Sequence, residues 1–279
     1  MNISVNGHSC YLYTGGKAFN PAQPSLIMIH GVLNDHSVWI LQSRYLAHHG
    51  WNVLALDLPG HGRSQGPAPA SVEAAADFVL ALMDALALPQ AALVGHSFGS
   101  LIALEATAKA PERVSHLVMV GTAYPMKVSP ALLDMSLNQP QQAIHMVNVF
   151  SHAMLAPPPS SLGPGTWLYG GTRALMRRVL NSNPQQNLFH TGFKACDDYA
   201  NGLQSAAKVQ CPVLFVLGQS DQMTLPKAAQ SLIQALPQSQ TVLLSAGHAI
   251  MGESPDGMLG ALVGFLPKSS PAPAAKHST

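Results

Sequence analysis

The chain has 279 residues, of which 47% are apolar and 10% charged, with a formal net charge of +1. This composition excludes a disordered or supercharged chain and predicts a well-buried globular protein. With no basic excess there is no electrostatic footprint for nucleic acid or an anionic membrane, so the expected partner is a small neutral or weakly charged molecule.

The first residues, MNISVNGHSCYLYTGG, carry no basic segment leading into an apolar one. No secretory signal is read there, and a cytoplasmic location is expected. No apolar run approaches the length of a bilayer span, so no membrane partner is expected. Cys10, Cys196 and Cys211 form no metal spacing and cannot all pair, which fits a reducing compartment.

Short apolar runs then alternate with long helical patterns. SLIMIHG (25 to 31) reads as a buried strand and HSVWILQSRYLAHHG (36 to 50) as an amphipathic helix closed by Gly50. WNVLALDLPG gives a second strand, PGHGRSQGPAP a turn, and SVEAAADFVLALMDALAL a helix with Ser71 as its cap and Glu73 in its first turn. AALVGH is a third strand leading into the helix FGSLIALEATAKAPE, and VSHLVMVG, PVLFVLG and TVLLSAG supply further strands. Continuous apolar strands separated by helices predict an α/β fold with a mostly parallel, doubly wound sheet covered on both faces.

From Tyr124 to about Ala206 the alternation stops, and Met, Gln, Pro and Gly become frequent around helical stretches such as PALLDMSLNQPQQAIHMVNVFSHAM and RALMRRVL. The expected organisation is a core at 1–123 and 207–267, a helical lid at 124–206, and a Pro-rich, disordered tail at 268–279.

Within LVGHSFGSLIALEA, Ser97 stands between Gly95 and Gly99 at the junction of a strand and a helix. A sharp turn there lifts a nucleophilic hydroxyl clear of the sheet, and glycine two residues to either side relieves the crowding. The same junction puts the Phe98 N–H at a helix N-terminus, one half of an oxyanion hole. The other half is expected from the loop HGVLNDHSVW, with the Val32 N–H as donor and Leu33 as the alternative.

The hydroxyl needs a base. Of thirteen histidines, His248 in LLSAGHAIMGESPD follows the last strand at the carboxyl edge of the sheet, where ligands collect in open α/β folds. His96 is expected to point away from the serine, and His30, at the oxyanion turn, to shape the backbone. His36, His48, His49, His61 and His116 read as surface or helix residues, while His145, His152 and His190 fall in the lid and could line a pocket. The acid that fixes the histidine must fall between Ser97 and His248, and Asp221 in the loop QSDQM follows the strand PVLFVLG. No candidate acid follows VSHLVMVG, and Asp197 and Asp198 belong to the lid.

On these residues the chain resembles the α/β-hydrolase fold superfamily. HGVLNDHSVW, DLPGHGRS, GHSFGS, GQSD and GHAIMGESP match, in order and spacing, its capped subfamily of carboxylesterases, enol-lactonases and carbon–carbon bond hydrolases. The resemblance covers residues 25 to 124 and about 207 to 267. It implies Ser97 as nucleophile, Asp221 as acid, His248 as base and the amides of Val32 and Phe98 as oxyanion donors. It also implies that Asp57 and Arg63 brace their loop and that Glu253 anchors the His248 loop. Dehalogenases and epoxide hydrolases of this fold have Asp where Ser97 stands.

The expected activity is hydrolysis of small carboxylic esters through an acyl-enzyme. Alternatives are a lactonase, an acyltransferase, a non-catalytic binding protein, or a carbon–carbon hydrolase that would use Arg173, Arg177, Arg178 and Lys194 for a carboxylate. Met126, Met135, Met146, Met154 and Met176 would either line a soft pocket or pack the lid helices. No organic cofactor or metal is implied, and the substrate is expected to be a small ester bound by a monomer or homodimer.

Overall fold

In a computed structural model, which describes residues 1–153 and 167–267, eight strands form one sheet. They are β1 (Asn2–Val5), β2 (His8–Tyr13), β3 (Ser25–Ile29), β4 (Asn52–Leu56), β5 (Ala91–His96), β6 (Val114–Val120), β7 (Val213–Gly218) and β8 (Gln240–Leu244). Their order is β1-β2-β4-β3-β5-β6-β7-β8. Every pairing from β4 across to β8 is parallel, while β1–β2 and β2–β4 are antiparallel.

The central strands β3, β4, β5 and β7 are buried along their whole length, which is why their sequences read as continuous apolar runs. One face is covered by α2 (Val72–Ala85), α3 (Phe98–Lys109) and α9 (Gln230–Ala235), through residues such as Val79, Leu101 and Leu232. The other is covered by α1 (Ile40–His48), α10 (Ile250–Glu253) and α11 (Pro255–Phe265), through Leu46, Ile250 and Leu262. Each fully buried aliphatic side chain contributes about 1.5–3 kcal/mol. The Ser71 cap of α2 is present, its hydroxyl accepting from the Ala74 N–H at 3.1 Å.

The amino-terminal hairpin β1–β2 was not among the expected elements. Its turn is Asn6-Gly7, with φ of 51° and 81°, the pairing a tight two-residue hairpin favours. The strands are short and only half-buried, so their apolar alternation is weak.

Between β6 and β7 lie α4 (Pro130–Asn138), α5 (Pro140–Ser151), α6 (Leu168–Ser182), α7 (Leu188–Asp198) and α8 (Gly202–Ala206). The single helical stretch expected from 130 breaks at Pro140. Proline has no N–H to continue the ladder and drives the preceding Gln139 to φ −140°, ψ 57°. These helices share a core of Ile144, Val179 and Phe189 with Leu33 of the β3–α1 loop. Glu105 on α3 ties them to the sheet by accepting from Tyr199 Oη at 2.8 Å and Ser205 Oγ at 2.6 Å. Met154 and the expected tail at 268–279 lie outside the described residues.

Candidate active site

Ser97 sits between β5 and α3 at φ 54°, ψ −119°, a left-handed conformation that strains a residue with a Cβ. The two flanking glycines make the turn possible. A Cβ on Gly95 would lie 2.0 Å from the Gly99 carbonyl oxygen, and one on Gly99 would lie 2.4 Å from the Ile29 carbonyl oxygen. The strand and helix therefore pack backbone to backbone, which leaves the serine at the crest of the turn.

The loop after β7 carries Asp221, and the loop after β8 carries His248. His248 Nδ1 lies 2.8 Å from Asp221 Oδ2. Asp221 Oδ1 accepts from the N–H groups of Met223 and Thr224, both at 2.8 Å. Thr224 Oγ1 lies 2.8 Å from Asp221 Oδ2 and 2.9 Å from the Gly121 carbonyl, and its one proton serves either. Burial alone would push this carboxyl up. The neighbouring imidazole, with the hydrogen bonds from His248 and Thr224, outweighs burial and holds it below the usual carboxylate range. An ionised Asp221 fixes the proton of His248 on Nδ1 and leaves Nε2 as the basic atom. Thr224 was missed in the sequence, although an aspartate followed three residues later by threonine is a turn signature.

Ser97 and His248 line one cavity of about 530 Å³, together with Val32, Met176, Phe189 and Phe193. No hydrogen bond of 3.5 Å or less joins the Ser97 hydroxyl to His248. Contacts of this kind tighten when substrate is bound. Among the described residues neither the Val32 nor the Phe98 N–H donates a hydrogen bond. Val32 borders the cavity and Leu33 does not, which favours the former as donor. Leu33 is buried at φ 55°, a second strained residue in the same neighbourhood.

His96 does not point away from the site as expected. Its ring borders the cavity with its centroid 4.7 Å from that of His248. His30 does shape the backbone: it joins the Gly31 carbonyl through Nδ1 at 2.8 Å and the Leu58 N–H through Nε2 at 3.1 Å. Glu253 accepts from the Gly247 N–H at 2.6 Å and the Ala153 N–H at 2.9 Å, so one carboxylate grips the His248 loop and the end of α5. Asp57 accepts from the backbone N–H groups of His36 and Arg63, as a loop brace would.

The cations considered for a carboxylate are engaged elsewhere. Arg178 borders the cavity, but its Nη2 lies 2.7 Å from Asp35 Oδ2. Arg177 donates to Gln141, Lys194 pairs with Asp198, and Arg173 lies over the rings of Trp167 and Tyr169. Of the methionines considered that lie in the described residues, Met176 lines the cavity and Met146 does not, whereas Met126 and Met135 pack in apolar clusters. Of the three histidines between 124 and 206, His152 lines it, while His145 bonds Tyr169 and His190 bonds Ser136.

Asp35, His36 and Asp57 are close enough for three ligand atoms to meet. Their carboxylate oxygens already accept from Ser37, Arg178, His36 and Arg63, so the cluster is held by its own donors. Among the described residues, no helix is long and apolar enough to cross a membrane.

The chain is similar to a pimeloyl-[acyl-carrier protein] methyl ester esterase of Neisseria meningitidis serogroup C, 28% identical over 249 residues, which are 84% of this chain and 90% of that protein. It is 36% identical over 110 residues to the dihydrolipoyllysine-residue acetyltransferase component of the acetoin cleaving system of Pseudomonas putida. That stretch is 39% of this chain and 28% of the relative, and a lipase LipV of Mycobacterium tuberculosis is matched over 41% of its length. Among solved structures, the enol-lactonase of Burkholderia xenovorans LB400 superposes with a TM-score of 0.80 at 22% identity, covering 95% of this chain and 99% of that one. The family model for the alpha/beta hydrolase fold matches residues 24–255, and the chain belongs to that family.

Proposed function

We propose that the protein is a serine hydrolase of small carboxylic esters. Ser97 is the nucleophile, His248 its base and Asp221 the acid that orients and stabilises the imidazolium. The N–H groups of Val32 and Phe98 receive the developing oxyanion. In the acylation step Ser97 Oγ bonds to the ester carbonyl carbon as its proton passes to His248 Nε2. Collapse of the tetrahedral intermediate breaks the carbon–oxygen bond to the alcohol, which leaves with that proton. Water then attacks the acyl-enzyme with His248 again as base, releasing the acid and restoring Ser97.

The observation that carries this reading is a buried, charge-oriented imidazole opening on the same apolar cavity as a serine in strained left-handed backbone, with the unused Val32 amide at the cavity's edge and the unused Phe98 amide next to the serine in the chain. The ester assignment draws support from the Neisseria relative, itself a methyl ester esterase. Carbon–carbon bond hydrolysis is disfavoured, because the one considered cation that borders the cavity is neutralised by Asp35. The segment 124–206 would act as the lid that shapes the acyl and alcohol subsites. Release of p-nitrophenol from the acetate and butyrate esters, abolished in Ser97→Ala, tests the proposal. A folded protein inert towards both esters would overturn it.

A further inference from the structure

His96 precedes the serine, and its imidazole is almost wholly buried, yet the chemistry proposed above assigns it nothing. Its Nε2 lies 3.0 Å from the main-chain carbonyl oxygen of His248. A carbonyl only accepts, so Nε2 carries the proton and donates it. The other nitrogen, Nδ1, is then a bare acceptor, and it is buried without a partner. Near it is the oxyanion loop: a Cβ on Gly31 would stand 3.0 Å from His96 Nδ1 and 3.2 Å from Ser97 Cβ. The ring inclines at 46° to that of His248, and Trp39 meets it edge-on with centroids 6.5 Å apart.

We infer that His96 is a positioning residue: through its hydrogen bond to the His248 carbonyl and its ring contact, it fixes the base relative to the serine next to it in the chain. The hydroxyl and the imidazole sit on loops about 150 residues apart, and the His96 side chain joins the two loops directly. This inference rests on the assignment of His248 as base.

Neutrality is part of the role. A proton on Nδ1 would bury a charge with no acceptor, and it would oppose the imidazolium that forms on His248 during each acyl transfer. Burial, with the nearby His248, pushes His96 down to about 3, so the ring stays uncharged through the working range.

The test compares kcat and KM for p-nitrophenyl butyrate in the full chain and in His96→Phe, His96→Leu, His96→Gln and His248→Ala. Phe and Leu remove the donor, whereas Gln carries an N–H at nearly the position of Nε2. Phe and Leu are expected to lower kcat about 10- to 100-fold with KM within about two-fold, and Gln to restore most of the loss. A fold-stability role alone would leave kcat of the folded fraction unchanged. Donor-less variants with wild-type kcat, or failure of Gln to rescue, would overturn the inference while an inactive His248→Ala upholds the assignment of the base. An active His248→Ala would overturn both. Imidazole 15N shifts of the unmutated protein give a readout independent of variant folding. They should report neutral His96 protonated on Nε2 between about pH 5 and 8, and protonation on Nδ1 would contradict the brace.

Discussion

The molecule holds two histidine–aspartate pairs of nearly equal length. His248 Nδ1 lies 2.8 Å from Asp221, and His36 Nδ1 lies 2.7 Å from Asp57. Both carboxylates are buried and both imidazoles are mostly covered. The difference lies in what surrounds them. His248 borders the cavity shared with Ser97, whereas His36 packs against the rings of Tyr11 and Tyr13 and does not reach it. Asp57 uses its second oxygen for the Arg63 N–H and binds its loop, while Asp221 uses its first for its own turn and turns the second to the His248 imidazole. On the proposed reading the pair that shares a cavity with Ser97 serves the chemistry, whereas the pair at Asp57 fastens its loop.

The sharpest way to break this contrast is at the nucleophile. Ser97→Ala is expected to lower kcat for p-nitrophenyl butyrate by about 10^6-fold while leaving the thermal unfolding midpoint almost unmoved. Asp221→Asn should cost about 10^4-fold in kcat, because an amide that donates no longer holds the Nδ1–H tautomer of His248. Retention of activity in either variant would place the chemistry elsewhere. Asp57→Ala should do the reverse. It strands the backbone N–H groups of His36 and Arg63, so stability in urea should fall by about 2–3 kcal/mol, with kcat of the folded protein within about three-fold of wild type.

The least localised expected effect is a pH slope. Burial, with contributions from neighbouring imidazoles, pushes His61 and His96 from the ordinary value of 6.5 down to about 3. Above pH 6.5 both the folded and unfolded chains hold them neutral. As pH falls below 6.5 the unfolded chain takes up protons that the native state refuses, so stability declines until about pH 3. Each such histidine contributes about 1.4 kcal/mol per pH unit. Urea unfolding at pH 7 and pH 5 should show the decline, and His61→Gln should flatten it. An unchanged slope in that variant would contradict the burial argument.

Much of the candidate site was legible because its parts are local. GHSFGS states a strand–turn–helix with Ser97 at its crest, and Asp221 and His248 stand three and four residues past the ends of β7 and β8. The central sheet was legible for the same reason, since strands buried on both faces are apolar throughout. What escaped was set by tertiary contact. The direction of the His96 ring is decided by a carbonyl 152 positions away, and the Arg178–Asp35 pair joins residues 143 positions apart. The amino-terminal hairpin is a different case: Asn6-Gly7 announced it, but its strands are too exposed to show a strong apolar pattern.

The measurement that bears most directly on the central claim is covalent labelling with a fluorophosphonate, followed by peptide mass spectrometry. A single adduct on Ser97 is predicted, absent in Ser97→Ala and formed far more slowly in His248→Ala. A folded protein that takes no label, or takes it on another residue, would contradict the account.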